Sequence, residues 1–373
     1  MKLGILFTGN YSWAGGLYYS LNIIKLLQNY STSNNLTIIV IINNFTPKEL
    51  IAEVQLKNIE IVDLDSRSIL YKAFCKIAGI ITKSNYRFIH EINSLNLDLI
   101  YPIIDFQDSY RKLNCKVIYW IYDFQHKFLP QLFTQKEIEQ RDNTFREIVE
   151  NAEIIVLSSL DAKRHLNKFY PNCKAKVEIY KFISLISKVP KARQSNTIIP
   201  TNYFIVCNQF WPHKNHMVVL KALAVLLTEN IDIHIVFTGN NDEERNREYV
   251  NELKTFILEN NLSLYVTFTG FISREYQVEL MQNAKAVIQP SYFEGWSTVI
   301  EDAKALNKFL IVSDIEINRE QVKDDVLFFE ATDFIILAEH ISEICLKETI
   351  VTSIDYRVNI EASKSELINL FKV

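Results

Sequence analysis

The chain has 373 residues, more than one hydrophobic core ordinarily needs and enough for two domains of common size. Hydrophobic residues make up 48% of it, which excludes a disordered chain, and a formal charge of −4 argues against a general nucleic-acid binder, which needs a strongly basic face. Cys75, Cys115, Cys173, Cys207 and Cys345 are odd in number, scattered and without CxxC spacing, so neither a disulfide framework nor a zinc site is expected and a reducing cytoplasm is the natural compartment.

The chain opens at once on a strand-like LGILFT without a long apolar signal region, and no apolar run approaches a membrane span. Short β-branched runs then alternate with helical patterns. Leu3–Thr8, Leu36–Asn43, Ile59–Asp65, Leu97–Ile104, Lys116–Asp123 and Ala152–Ser159 read as strands. Leu17–Asn29 and Gln135–Asn151 read as amphipathic helices, the second opening with Thr134 and Glu137 in capping-box register. After Val177–Phe182 the pattern lapses into SKVPKARQSNTIIPTN, polar and bracketed by Pro190 and Pro200, the expected interdomain linker.

The alternation restarts with strands expected at Tyr203–Gln209, Ile233–Gly239, Leu264–Gly270, Ala284–Gln289, Lys308–Asp314 and Val326–Glu330. Helices are expected near 215–229, 243–260, 274–283 and 297–307, and a last one at roughly 354–371. Apolar strands alternating with helices indicate parallel sheets covered on both faces. The expected class is therefore α/β, two doubly wound Rossmann-like domains with the ligand at the carboxyl ends of their strands. The boundaries implied are residues 1–187, a linker at 188–202, a second domain at 203–350, and a C-terminal helical segment at 351–373.

Chemistry concentrates in QPSYFEGWSTVIED, Gln289 to Asp302. An apolar run ends at Pro290, a short loop carrying Gly295 follows, and helical residues resume at about Ser297. Such a junction leaves N–H groups unpaired at a helix N-terminus, so Ser297 and Thr298 suit an anion such as a diphosphate. Glu294, Glu301 and Asp302 flank it and would repel phosphate at the same spot, so they read as acceptors for hydroxyls further along the ligand. Phosphate plus hydroxyls describes a sugar nucleotide.

Other stretches lie at strand ends as well. Gly15 and Gly16 in TGNYSWAGGLYYS open a helix after the first strand and suit phosphate, yet GxGxxG is absent, which disfavours an NAD enzyme. His126 in IYDFQHKFLP follows a first-domain strand beside Asp123 and Lys127, where it is expected to touch a sugar hydroxyl or share developing charge. Lys214 in CNQFWPHKNHMVVLKAL stands just before a helix start and can meet a diphosphate as a point charge.

The acidic residue, seven spacers and second acidic residue from Glu294 to Asp302, set between an apolar strand with Pro-Ser and the run Ala303-Lys304-Ala305, resemble the glutamate signature of family-4 retaining glycosyltransferases of the GT-B fold. The resemblance covers most of the second domain and the first in outline, and it implies that the C-terminal segment 351–373 packs back on the first domain. It implies that Glu294 meets donor-sugar hydroxyls, that Asp302 or the adjacent Glu301 holds the ribose, and that backbone groups at Gly270-Phe271-Ile272 bind the base with an apolar side chain against it. A His such as His126 would contact the donor sugar, and the loop with Gly15 and Gly16 would face the diphosphate. Where the family has Arg five positions before the lysine, this chain has Gln209, which keeps donors and loses charge.

Lys214, Glu294 and His126 are thus the expected catalytic residues, with Gly15, Gly16, Gln209, Phe271, Ile272, Gly295, Ser297, Thr298, Glu301 and Asp302 as further donor contacts. No metal and no cofactor are expected, the nucleotide-sugar donor being a substrate. The resemblance implies retaining transfer of a hexose-type sugar from UDP or GDP to a saccharide or lipid-linked saccharide acceptor of a surface polysaccharide such as O-antigen or capsule. A catalytically silent partner subunit, to which Gln209 points, and a sugar-nucleotide epimerase or hydrolase on the same scaffold are the alternatives. Asp63-Leu64-Asp65 offers a DxD triplet of the metal-binding kind found in GT-A enzymes, but that reading leaves residues 203–314 unexplained. Finally, ILYKAFCKIAGIITKSNYRF reads as one helix with Lys72, Lys76, Lys83 and Arg87 on one stripe and Phe74, Ile77, Ile81 and Phe88 opposite. Residues 69–90 therefore suit either an ordinary helix with a solvated basic face or peripheral contact with an anionic inner-leaflet surface.

Overall fold

The computed structural model describes residues 1–372 apart from 32–35, 56–57, 83, 187–198, 242–243 and 348–354. The chain divides into two compact units, one of residues 1–185 with 359–373 and one of residues 186–358. Most of the linker stretch, residues 187–198, lies outside the described residues.

The first unit is built on one parallel sheet of β1 (Lys2–Leu6), β2 (Thr37–Ile42), β3 (Ile59–Asp63), β4 (Leu99–Ile103), β5 (Lys116–Ile121), β6 (Ile154–Leu157) and β7 (Lys176–Ile179). Its order is β3-β2-β1-β4-β5-β6-β7. The helices between are α1 (Ala14–Ser31), α2 (Lys48–Val54), α3 (Ile69–Thr82), α4 (Tyr86–Ser94), the short α5 (Gln125–Phe128), α6 (Gln135–Asn151) and α7 (Leu160–Phe169). Ile39, Ile41, Ile100, Ile121 and Leu157 share a core with Phe145 and Ile148 of α6. The capping box of α6 forms as its sequence implies, Thr134 accepting from the Glu137 amide while Glu137 accepts from the Thr134 amide.

The single helix expected over residues 69–88 is two helices. The break falls where the Asn85 side chain accepts from the Phe88 amide and starts α4, an N-cap that stops α3 from continuing. Tyr71 reaches across to His90 at 2.9 Å and holds the pair together.

In the second unit β8 (Tyr203–Cys207), β9 (His234–Thr238), β10 (Val266–Phe268), β11 (Val287–Gln289), β12 (Leu310–Ser313) and β13 (Val326–Phe329) form a parallel sheet in the order β10-β9-β8-β11-β12-β13. Helices α8 (His216–Thr228), α9 (Arg247–Glu259), α10 (Arg274–Asn283), α11 (Thr298–Ala305), α12 (Glu316–Gln321) and α13 (Phe334–Leu346) cover it, and α14 (Tyr356–Phe371) ends the chain. Strand β8 is buried at all five positions: Phe204 and Val206 join the core with Leu220 and Leu223, whereas Tyr203, Ile205 and Cys207 join that with Ile300 and Ala303. Both faces of the sheet are covered, which is why its strands read as unbroken apolar runs.

In each sheet the chain leaves a central pair in opposite directions, at β1/β4 and at β8/β11. A crevice forms outside the carboxyl ends of strands at such a switch point. From β1, α14 is remote in sequence, yet its C-terminal part packs in the same unit: Leu367 is buried and the Phe371 ring lies 5.7 Å from that of Tyr101.

Candidate functional site

The loops leaving β8 and β11 carry the two residues around which the second unit's site is built. After β8 the chain runs through a single turn, Pro212–Lys214, and Asn215 takes a left-handed conformation, φ 56°, before α8 starts. Asparagine tolerates that region because its side chain finds local partners. Here it donates to Pro290 O at 3.0 Å and to Ala331 O at 2.6 Å, tying the loop to those after β11 and β13. Lys214 is thereby aimed across the switch point, and its Nζ lies 2.6 Å from Glu294 Oε1.

Glu294 is held from a second side. Gln289, the last residue of β11, donates to Glu294 Oε1 at 2.7 Å and accepts from Asn208 Nδ2 at 2.9 Å. Both members of the Lys214–Glu294 pair are largely shielded, with side chains 18% and 8% exposed. A charge pair in such a place persists only with good geometry and further hydrogen bonds, which Gln289 supplies. Neither Gln289 nor Asn208 was marked by the sequence, since each reads there as the polar end of a strand.

Ser297 caps α11, its hydroxyl accepting from the Ile300 amide. The Ser297 amide, expected to bind phosphate, is instead taken by Gln321 Oε1 at 3.0 Å, while Gln321 Nε2 donates to Ser297 O at 2.7 Å. Gln321 therefore clamps the backbone of the cap residue from both sides. Thr298, the next residue, is only partly buried.

Glu301 and Asp302 have separate surroundings. Glu301 is buried and accepts from Lys304 at 2.8 Å, Gln321 at 3.0 Å and Tyr356 at 2.6 Å. Asp302 pairs with Arg274 at 2.5 Å, at the start of the helix that follows Phe271 and Ile272. Phe271 presents 59% of its surface to solvent and Ile272 is half-buried. Gln209 accepts from the Trp211 indole N–H at 2.9 Å, and the Arg245 guanidinium sits over that indole ring, 5.4 Å from its centre. Sequence reasoning missed Arg245, which comes from the loop after β9. His216 opens α8, stacked on Phe210 at 4.4 Å, and burial pushes its imidazole down to about 3. His213 is also pushed down, by burial first and then by the charge of Lys214.

In the first unit, Gly15 is exposed and Gly16 buried in the first turn of α1. A Cβ on Gly16 would lie 2.6 Å from the Trp13 indole, which stacks on Trp120 at 5.7 Å. That contact accounts for the glycine without a ligand. His126, expected to touch a sugar hydroxyl, is 1% exposed, with Nε2 2.9 Å from Asp142 and its ring against Phe145. Burial first, then the Arg141 charge, holds its pKa below the ordinary range. α5 turns the imidazole into the core beneath α6. Asp65 of the DxD triplet accepts from Arg87 at 2.8 Å and from the Asn44 amide, and Asp63 accepts from the Asp65 amide. Among the described residues no group of three His, Cys, Asp or Glu is placed to hold a metal ion, and no helix is long and apolar enough to cross a membrane.

Residues 189–361 match the family model described as Glycosyl transferases group 1. No curated protein matches the chain. Among solved structures it is similar to a sucrose-phosphate synthase from Thermosynechococcus elongatus, at a TM-score of 0.71 and 16% identity over 100% of this chain and 95% of that one. It is also similar to Staphylococcus aureus TarM in complex with fondaparinux, alpha-GlcNAc-glycerol and UDP, at 0.67 and 10% identity over 100% of both chains. WaaG, a glycosyltransferase involved in lipopolysaccharide biosynthesis, matches at 0.61 and 12% identity over 99% of this chain and 94% of that one. Residues 189–361 thus resemble the group 1 glycosyltransferase domain, in a chain of GT-B fold.

Proposed function

We propose that this protein is a retaining glycosyltransferase that moves a hexose-type sugar from a UDP- or GDP-sugar onto a saccharide or lipid-linked saccharide acceptor in surface-polysaccharide synthesis. The observation that carries the reading is the Lys214–Glu294 pair, 2.6 Å apart at the ends of β8 and β11 and next to the starts of α8 and α11. Each member answers one half of a sugar nucleotide. A diphosphate oxygen takes the place of the Glu294 carboxylate at Lys214, and Glu294, released, accepts from sugar hydroxyls. The base lies against Phe271 and the ribose at Asp302 beside Arg274.

In the reaction the bond from the anomeric carbon to the diphosphate oxygen breaks, and the acceptor hydroxyl attacks from the same face, its proton passing to the departing diphosphate oxygen. The negative charge that gathers on the departing diphosphate is met by Lys214 and by helix N–H groups, which takes the role a metal plays elsewhere. Arg245, over the Trp211 ring whose N–H donates to Gln209, supplies the second cation that Gln209 does not. His126 is left in a structural role.

The test is transfer of labelled sugar from UDP- and GDP-sugars to saccharide acceptors, with a thermal-shift screen against UDP, GDP, ADP and dTDP, each with and without manganese. Lys214→Gln keeps a donor for Glu294 and removes the charge; it should lower turnover roughly a hundredfold or more. Arg245→Ala should lower it roughly tenfold, a loss of about 1.4 kcal/mol. Unchanged turnover in Lys214→Gln would overturn the reading. Donor consumption that ignores the acceptor would point to a hydrolase or epimerase.

A further inference from the structure

We infer that helix α3 is a membrane-docking element that lays its apolar face on an anionic lipid surface. The reasoning starts from which way the helix faces. Ile69, Leu70, Phe74, Ile77, Ile80 and Ile81 are between 59% and 84% exposed, whereas Cys75 on the opposite side is buried. At 100° per residue those six side chains fill one arc of roughly 140°, along a helix about 20 Å long. An ordinary amphipathic helix turns such an arc inward; α3 turns it outward.

Charge names the occupant. From Ile69 to His90 the sequence holds Lys72, Lys76, Lys83 and Arg87 and no acidic residue. Lys72 and Arg87 are spent internally, on Asp65 O at 2.6 Å and on the Asp65 carboxylate at 2.8 Å, and Lys83 lies outside the described residues. Lys76 is exposed and, by helical spacing, flanks the apolar arc. An apolar arc edged by lysine and free of acids complements acyl chains beneath anionic headgroups. A second copy across a two-fold axis would bring a second Lys76 to this face and no carboxylate from the same stretch to meet it. The inference concerns the first unit alone and does not rest on the transferase reading.

Flotation of the purified full chain with vesicles tests it, using phosphatidylcholine alone and phosphatidylcholine mixed with phosphatidylglycerol. The protein should float with the anionic vesicles and be released by salt. Lys76→Ala should weaken partitioning roughly fivefold. Ile77→Asp combined with Ile81→Asp should weaken it more than about tenfold, with the melting temperature unchanged because both side chains face solvent. Should that pair unfold the helix, Ile81→Gln alone gives the same comparison. Equal recovery with and without anionic lipid, or variants that float like the parent, would overturn the inference. A parent that is dimeric with a monomeric Ile77/Ile81 variant would overturn it too, since the face would then belong to a second copy.

Discussion

Glu301 and Asp302 adjoin in sequence, and what surrounds each decides what it can do. Three donors saturate Glu301, so it holds α11 to α12 and to Tyr356; Asp302 has its guanidinium partner on the side of Phe271. Glu301→Gln leaves Lys304 buried without its counter-charge and should cost about 3 kcal/mol in a urea melt. Asp302→Asn should leave the melt closer to the parent and weaken nucleotide binding measured by calorimetry. A Glu301→Gln protein as stable as the parent would show that Lys304 finds solvent. His216 carries a pH dependence. Its pKa of about 3 lies below the ordinary histidine value, so the folded chain stays neutral there while the unfolded chain binds a proton. The stability involved is complete above about pH 6.5 and erodes as pH falls toward the folded value, by about 1.4 kcal/mol per unit. Between pH 6.5 and 5 the parent should lose about 2 kcal/mol more than His216→Phe, which keeps the ring on Phe210. Parallel pH profiles for the two would show that the imidazole is not held neutral.

At the scale of elements, the strands were legible because burial on both faces leaves an apolar run that few other structures produce. Polar residues at their ends were ambiguous: Gln289 and Asn208 hold Glu294 in place, but nothing local distinguishes them from loop residues. Gln321 is more remote still, 24 residues from the Ser297 amide it binds. Long-range polar partners leave no periodic trace, and the inward turn of His126 is likewise set by α6 rather than by its neighbours in sequence. The α3–α4 break was missed because apolar spacing continued across Asn85, where one side-chain cap outweighed it. Gly239 closes the expected strand Ile233–Gly239, and the structure shows why a glycine stands there: φ is +138° and a Cβ would lie 2.3 Å from Asn208 O. Gly239→Ala should therefore cost about 3 kcal/mol in thermal or urea unfolding. A variant that melts with the parent would mean that the end of β8 yields easily.

For the whole molecule, the donor assignment makes a regional prediction. Nucleotide should slow hydrogen exchange around residues 208–216, 270–274 and 294–302 of the second unit; protection concentrated in residues 1–185 would contradict the assignment. The division into units also bears on biosynthesis. Because Leu367, Leu370 and Phe371 are buried in the first unit, the polypeptide that a ribosome makes first cannot finish folding first. Residues 1–185 must wait through the translation of 186–358, on the order of ten seconds or more, before the helix that covers Tyr101 exists. Throughout that interval the nascent first unit offers an unfilled apolar surface to chaperones. The second unit, synthesised later but continuous in sequence, has its whole chain before that helix is complete.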